Sequence, residues 1–180
     1  NPVYVAKAVE IMQPRRIIIN YGTNNTNWDV ETFIKQYKSA LDAIHKAYEY
    51  ADIIIASVLP VAKERAYPAI TMQKIDAFNK ALVALAKQEG YQFLNSTQAI
   101  ADQNTGYARA DYMMSDGIHL NQEGMAAYFS YVRTHSYNTE DRRPTLKKVP
   151  THLATPDSFF GPAPSVSESA SSSSSSAEGK

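Results

Sequence analysis

The stretch "RRIIINYGTNN", from Arg15 to Asn25, contains three consecutive isoleucines between a pair of arginines and a glycine-containing turn. Isoleucine is branched at Cβ and favours extended backbone. An unbroken apolar run of this kind is typical of a strand that is covered on both faces, as in a parallel sheet. The stretch therefore predicts a buried strand that ends near Gly22 and continues into a polar loop.

The segments around this strand alternate between helical and extended patterns. Residues 3–12 predict a helix that ends before Pro14, and further buried strands are predicted within residues 51–60 and 91–96. Strands alternating with helices of this length indicate βαβ units with right-handed crossovers. Asp29 and Glu31 suit the first turn of the second helix, Thr71 and Gly90 bound the third, and Asn121 caps the last. The predicted inner faces of these three helices are Val30, Phe33, Ile34, Tyr37, Leu41, Ile44 and Tyr48; Ile75, Phe78, Leu82 and Leu85; and Met125, Tyr128, Phe129 and Val132.

The composition is that of an ordinary globular protein and excludes several classes of partner. The chain has 180 residues, of which 44% are apolar and 20% charged. Because 18 basic residues balance 18 acidic ones, no net field attracts nucleic acid, and we expect no nucleic-acid partner. No apolar run approaches the roughly 20 residues of a membrane span. The absence of cysteine excludes disulfides, thiolate metal sites and a cysteine nucleophile.

The amino-acid composition changes after residue 137. We predict an α/β domain over residues 1–137, a Pro-rich stem over 138–164 and a Ser-rich flexible linker over 165–180. Ser-rich sequence cannot build a core but joins domains well, so we interpret it as a tether to another module or to a cell surface. An extracellular or cell-surface location is expected on that interpretation. The alternative is a disordered chain end.

Two polar segments follow predicted strands, where ligands bind in doubly wound α/β sheets. One is "GTNN", and the other, "SDGIHLNQEG", places Asp116 three residues before His119. An aspartate can hold one imidazole nitrogen protonated and leave the other free to take a proton from a nucleophile. The alternative is that Asp116 shapes a turn while His119 packs under the last helix. The other histidines have no matching spacing, so we expect no metal site.

Two residues near the first loop have open interpretations. The Asn24 amide can donate a hydrogen bond to an oxyanion, or Asn24 can be an ordinary turn residue. Trp28, the single tryptophan, can form an aromatic wall for an acyl group or sugar. It can equally be the hydrophobic staple of the following helix.

The chain contains, in this order, a strand, "GTNN", a helix, a strand ending in proline, a helix, a strand and "DGIHLNQEGMAAY". Over roughly residues 1–136 this order resembles that of the SGNH (GDSL-like) hydrolases. In that family a Gly-x-Asn-Asp block supplies an oxyanion-hole asparagine, and a late Asp-x-x-His block supplies the acid and base of a triad. The resemblance implies that Asn24 is the oxyanion donor, His119 the base and Asp116 its orienting acid. Gly22 matches the first block, and Asn25 stands where the family usually has aspartate. The implied fold is a three-layer α/β/α, flavodoxin-like domain with a parallel sheet and without a metal or organic cofactor.

The serine nucleophile of the family lies in a Gly-Asp-Ser block that this sequence lacks. Ser158 follows Asp157 in the tail without a preceding strand, and Ser115 adjoins Asp116 too closely for an imidazole between them. Among the serines of this chain, Ser57, at the end of the second strand, is the best candidate nucleophile, although no motif marks it. We expect an upstream segment of ~60–100 residues to supply the serine and an N-terminal strand that this chain lacks. Such a strand would cover the apolar edge of the isoleucine strand, although another chain can also supply it.

The resemblance implies an enzyme that cleaves an ester by acyl transfer. We expect a small ester or an acylated polysaccharide as substrate, with acetyl esters on cell-wall or plant polysaccharides favoured. Two other classes stay open. One is a non-catalytic binding or scaffold domain in which Asp116 and His119 are relics, and the other is a flavodoxin-like regulatory domain.

Overall fold

The structure, a computed structural model, describes residues 2–144, with side chains described from residue 5. Its three strands form one parallel sheet in the order β1-β2-β3. This arrangement confirms the predicted α/β class. The helices and strands are α1 (Pro2–Met12), β1 (Arg16–Ile19), α2 (Val30–Ala47), β2 (Asp52–Ala56), α3 (Met72–Glu89), β3 (Gln92–Leu94) and α4 (Gln122–His135).

Polar side chains begin three of the helices where the sequence predicts them. Each accepts a hydrogen bond from a backbone N–H of the first turn, which otherwise has no partner inside the helix. A residue in the left-handed conformation, Gly90 with φ 74°, ends α3. The three caps are Asp29 accepting from Thr32 at 2.7 Å, Thr71 from Lys74 at 3.2 Å and Asn121 from Gly124 at 2.9 Å.

The main core lies between the sheet and helices α2 and α3. Ile53, Ile54 and Ile55 of β2 are all buried, so this strand is covered on both faces. Phe33 of α2 stacks on Phe78 of α3 with ring centroids 3.9 Å apart. Buried aromatic side chains of this size are the largest single contributors to a core. The two helices are therefore held together on the sheet by the faces that the sequence predicts.

Strand β1 differs from its prediction as a strand covered on both faces. Ile17 and Ile18 are only half-buried, and Ile19 alone is buried. The reason is position, because β1 pairs with β2 on one side and lies at the edge of the sheet within residues 2–144. The strand covered on both faces is β2.

Helix α4 also differs from its prediction. Met125 and Phe129, expected on its inner face, are 46% and 65% exposed. The contact side instead contains Gly124, where an added Cβ would lie 2.2 Å from the Tyr112 carbonyl oxygen. The side of α4 that contacts the domain therefore runs through Gly124, Ala127 and Tyr128, of which the sequence predicted only Tyr128. Ala127 and Tyr128 pack on a second apolar cluster, which consists of Ala62, Ile100, Ala108 and Met113.

The chain after α4 returns to the amino ends of the strands. Residues 136–144 form no helix or strand. The Arg16 side chain donates to the Tyr137 carbonyl and the Ser136 hydroxyl, and the Thr139 hydroxyl donates to Asp52. The rest of the predicted stem, from residue 145, and the whole predicted linker lie outside the described residues.

Candidate active site

A cleft of about 250 Å³ opens where the chain leaves the carboxyl end of β1. The loop after β1 forms one wall, and the segment before α4 forms the other. Parallel sheets bind ligands at this edge. Gly22, Asn24, Asn25 and His119, four of the residues singled out from the sequence, are thus brought together. The cleft is lined by Asn20, Tyr21, Gly22, Thr23, Asn24, Asn25, Ile118 and His119.

Asp116 and His119 form a hydrogen-bonded pair at this cleft. The Asp116 Oδ2 atom lies 2.7 Å from His119 Nδ1. The second carboxylate oxygen accepts from the backbone N–H of Ile118 at 2.8 Å and of His119 at 3.0 Å. The bonds from the His119 backbone, the His119 ring and the Ile118 backbone, in that order, lower the pKa of Asp116 from 3.8 to about 2.

The His119 ring is oriented for a proton transfer. Because the Asp116 carboxylate stays ionised, the Nδ1 atom carries the proton of the neutral ring, and Nε2 is left as the acceptor. The His119 side chain is 71% exposed, so solvent or a second group can reach Nε2. A carboxylate on one ring nitrogen and an open second nitrogen is the arrangement of a general base.

Glycine is required in the turn between Asp116 and His119. Gly117 has φ 68°, and an added Cβ would lie 2.2 Å from the Glu64 carbonyl oxygen and 3.0 Å from the Arg65 Cα. The turn is closed by two backbone hydrogen bonds that involve Met114: its carbonyl accepts from Gly117 at 2.9 Å, and its N–H donates to His119 at 2.7 Å. The pair is therefore presented by a tight turn rather than by a strand.

The opposite wall of the cleft depends on a second glycine. Gly22 has φ 139°, and an added Cβ would lie 2.4 Å from Val58 Cγ2. The Gly22 carbonyl accepts from Asn25 N–H at 2.9 Å, which winds residues 23–25 into one turn of 3₁₀ helix. Asn24 lies in this turn, exposed in the cleft. Asn24 and His119 thus line the same cleft.

Sequence reasoning missed four residues of the cleft, namely Asn20, Tyr21, Thr23 and Ile118. The Asn20 amide donates to the Ser57 carbonyl at 2.6 Å and so ties the end of β1 to the end of β2. The Tyr21 ring is 48% exposed and contacts Tyr37 edge-on. The available signal was adjacency in the sequence, because Asn20 and Tyr21 come just before Gly22, Thr23 follows it, and Ile118 precedes His119.

Trp28 and Ser57 lie elsewhere. Trp28 is half-buried against the main core and is not among the residues that line the cleft. Ser57 is 1% exposed, and its Oγ atom accepts from the Thr97 N–H at 2.9 Å and lies 3.1 Å from Ser96 Oγ. A hydroxyl held in this buried network cannot meet His119, so Ser57 is unsuited to nucleophilic attack.

The sequence of this site-bearing domain matches the model of the GDSL-like Lipase/Acylhydrolase family over residues 4–127. The chain belongs to this family. The match contains both walls of the cleft in this GDSL-like chain. No curated protein matches the sequence of this chain significantly.

Solved structures share the fold of this GDSL-like chain. A GDSL-like lipase from Bacteroides thetaiotaomicron is 22% identical with a TM-score of 0.61, and the match covers 74% of this chain and 67% of that one. The lipase/acylhydrolase from Enterococcus faecalis is 18% identical with a TM-score of 0.59, covering 72% and 65%. A carbohydrate esterase family 3 protein from Talaromyces cellulolyticus is 21% identical with a TM-score of 0.53, covering 71% and 59%. The chain thus spans about three fifths to two thirds of the length of these proteins.

Within residues 2–144, no group of three or more His, Asp or Glu side chains is arranged to hold a metal ion. Among the same residues, no helix combines the length and apolar character needed to cross a bilayer.

Proposed function

We propose that this chain carries the base, its orienting acid and an oxyanion donor of an ester hydrolase with a Ser-His-Asp triad. One observation supports this most directly: the Asp116–His119 pair, joined at 2.7 Å, opens into the same cleft as Asn24. A base and a hydrogen-bond donor on opposite walls are what acyl transfer requires. Family membership of the matched residues agrees with this chemistry.

The proposed reaction has two steps. A serine hydroxyl attacks the ester carbonyl carbon while His119 Nε2 takes its proton, and the Asn24 amide donates to the developing oxyanion. Collapse of the tetrahedral intermediate breaks the bond to the alcohol, which receives the proton from His119. Water then attacks the acyl-serine with His119 again as base, releasing the carboxylic acid and the free serine. Asp116 stabilises the imidazolium in both steps.

We assign the serine to a segment outside the 180 residues that pairs with the free edge of β1. Ser57 is buried, and β1 is half-buried with one unpaired edge within the described range. A strand along that edge would end beside the Gly22–Asn25 loop, at the mouth of the cleft. A serine at its end would then face His119.

The proposed substrate is a short acyl ester, in particular an acetyl ester of a carbohydrate. A cleft of about 250 Å³ suits a small acyl group. Two structural neighbours are named as a carbohydrate esterase of family 3 and as an acetyl esterase with an acetate ion. An extracellular or cell-surface location, where such polysaccharides occur, belongs to the same proposal.

A fluorophosphonate labelling experiment on the natural protein tests the triad. Intact mass under denaturing conditions should show the adduct on a serine outside residues 1–180, and His119→Ala should lower labelling and ester hydrolysis about a thousandfold. His45→Ala, which removes an exposed histidine from α2, is the matched control and should change neither. Full activity in the His119→Ala variant, or an adduct within these 180 residues, would contradict the assignment. A correctly folded natural protein with no label and no hydrolysis would indicate a scaffold domain.

A further inference from the structure

The loop between β2 and α3 is organised by one arginine. We call residues 62–70 the buttress loop. The Arg65 side chain is half-buried, and within residues 2–144 its guanidinium donates to backbone carbonyls alone. A guanidinium presents five N–H groups in a fixed plane, so it can serve several carbonyls at once, whereas the three N–H groups of lysine radiate from one point. The acceptors are Ile70 at 2.6 Å, Lys63 at 2.9 Å, Ala62 at 3.2 Å and Pro68 at 3.3 Å.

The buttress loop supports the turn that carries the catalytic pair. The Ala66 N–H donates to the Asp116 carbonyl at 2.8 Å, and the Ala62 N–H donates to the Gly117 carbonyl at 2.8 Å. Between these bonds the loop approaches Gly117 so closely that no Cβ fits. Two donors and one close contact thus fix the backbone on which the Asp116 side chain stands.

The carboxylate geometry depends on this backbone. Asp116 Oδ1 accepts from two consecutive N–H groups, those of Ile118 and His119, and both bonds require the tight turn through Gly117. If the buttress loop opens, the carbonyls of Asp116 and Gly117 lose their donors and the turn can widen. The ring of His119, held through Asp116 Oδ2, would then lose its orientation.

We propose that Arg65 is a positioning residue for the Asp116–His119 pair. It is not among the residues that line the cleft, and it acts through the buttress loop and the Asp116–Gly117 backbone. The effect of Arg65 on catalysis rests on the proposed function. The effect of Arg65 on the geometry of the Asp116–His119 pair is independent of that function and can be measured separately.

The test compares Arg65→Met with Lys63→Met, which removes a neighbouring exposed positive charge from the same loop. In Arg65→Met, carboxyl ¹³C NMR should show the pKa of Asp116 rising from about 2 by roughly one unit. Amide hydrogen exchange at Ala62 and Ala66 should accelerate about tenfold. Lys63→Met should change neither quantity.

Arg65→Lys keeps the charge but not the planar fork, so it should shift both quantities in the same direction and by less. It also serves as the test variant if Arg65→Met does not fold. An unchanged Asp116 titration in a folded Arg65 variant would overturn the proposal, even if stability falls. These NMR measurements decide the question whether or not ester hydrolysis is found. If hydrolysis is found, Arg65→Met should lower kcat about tenfold and leave KM unchanged.

Discussion

The two walls of the cleft are held in different ways. The Gly22–Asn25 wall directly follows a strand and is joined to the neighbouring strand through Asn20, whose amide reaches the Ser57 carbonyl. The wall with Asp116 and His119 follows no strand immediately. It depends on loop-to-loop backbone bonds and on one glycine with no space for a side chain.

This difference separates positioning by a sheet from positioning by loops. The first wall moves only if the sheet deforms, because Asn20 at its base joins the end of β1 to the end of β2. A wall made from loops depends on a few contacts, each of which can be removed by one substitution. We therefore expect the wall that contains Asp116 and His119 to be the more sensitive of the two.

Gly117→Ala should give the largest effect. The new Cβ meets the Glu64 carbonyl oxygen, and the residue must keep φ 68°, so we expect a loss of about 3 kcal/mol in the free energy of unfolding. Urea denaturation measures it. Gly106→Ala is the matched control, because Gly106 has φ 75° but nothing within 4 Å of the added Cβ, and it should cost about 1 kcal/mol. Equal costs for the two variants would show that the contact with Glu64 is unimportant.

Gly22→Ala, on the strand-anchored wall, should cost less, about 2 kcal/mol. Its new Cβ meets a Val58 methyl group at 2.4 Å, whereas the Cβ added at Gly117 meets a backbone carbonyl oxygen at 2.2 Å. A double-mutant cycle with Val58→Ala isolates this contact, since truncating the valine should remove part of the penalty. Additive losses in the cycle would mean that the backbone conformation alone causes the effect. A cost above that of Gly117→Ala would reverse the comparison between the walls.

Asp116→Asn should give the smallest effect, and the pH dependence of stability is the measurement that isolates it. The folded-state pKa of about 2 lies below the ordinary 3.8, so the ionised Asp116 stabilises the fold above pH 3.8. This contribution is lost as the pH falls from about 4 to 2, and the Tm of Asp116→Asn should fall less steeply over that window. Asp141→Asn removes a carboxyl that also titrates near pH 2, but far from the cleft. If the Tm of Asp141→Asn falls less steeply with pH but that of Asp116→Asn does not, the hydrogen bonds at Asp116 do not stabilise the fold.

Much of the fold could be predicted because its signals are local. The isoleucine runs, the caps at Asp29, Thr71 and Asn121 and the glycine that ends α3 each depend on neighbouring residues. The meeting of "GTNN" and His119 follows from the rule that loops after parallel strands share one edge of the sheet. Asp116 and His119 are three residues apart, so their contact needs only a tight turn.

The features that could not be predicted depend on distant partners. In α4, the stripe through Met125 and Phe129 has the spacing of an inner face, but the contact at Gly124 leaves no hydrophobic signal. The half-buried state of β1 depends on which strand lies beside it. The role of Arg65 is invisible for another reason, because its partners are backbone carbonyls, which every residue has.

The contacts of residues 136–143 with Arg16 and Asp52 lie at one pole of the domain. Both side chains lie at the starts of their strands, whereas the cleft lies beyond the end of β1. The Arg143 guanidinium, which donates to the Gln13 carbonyl, keeps the chain at that pole as far as the last described residues. After α4 the described chain therefore runs back to the side of the domain opposite the cleft, and its last described residues lie there.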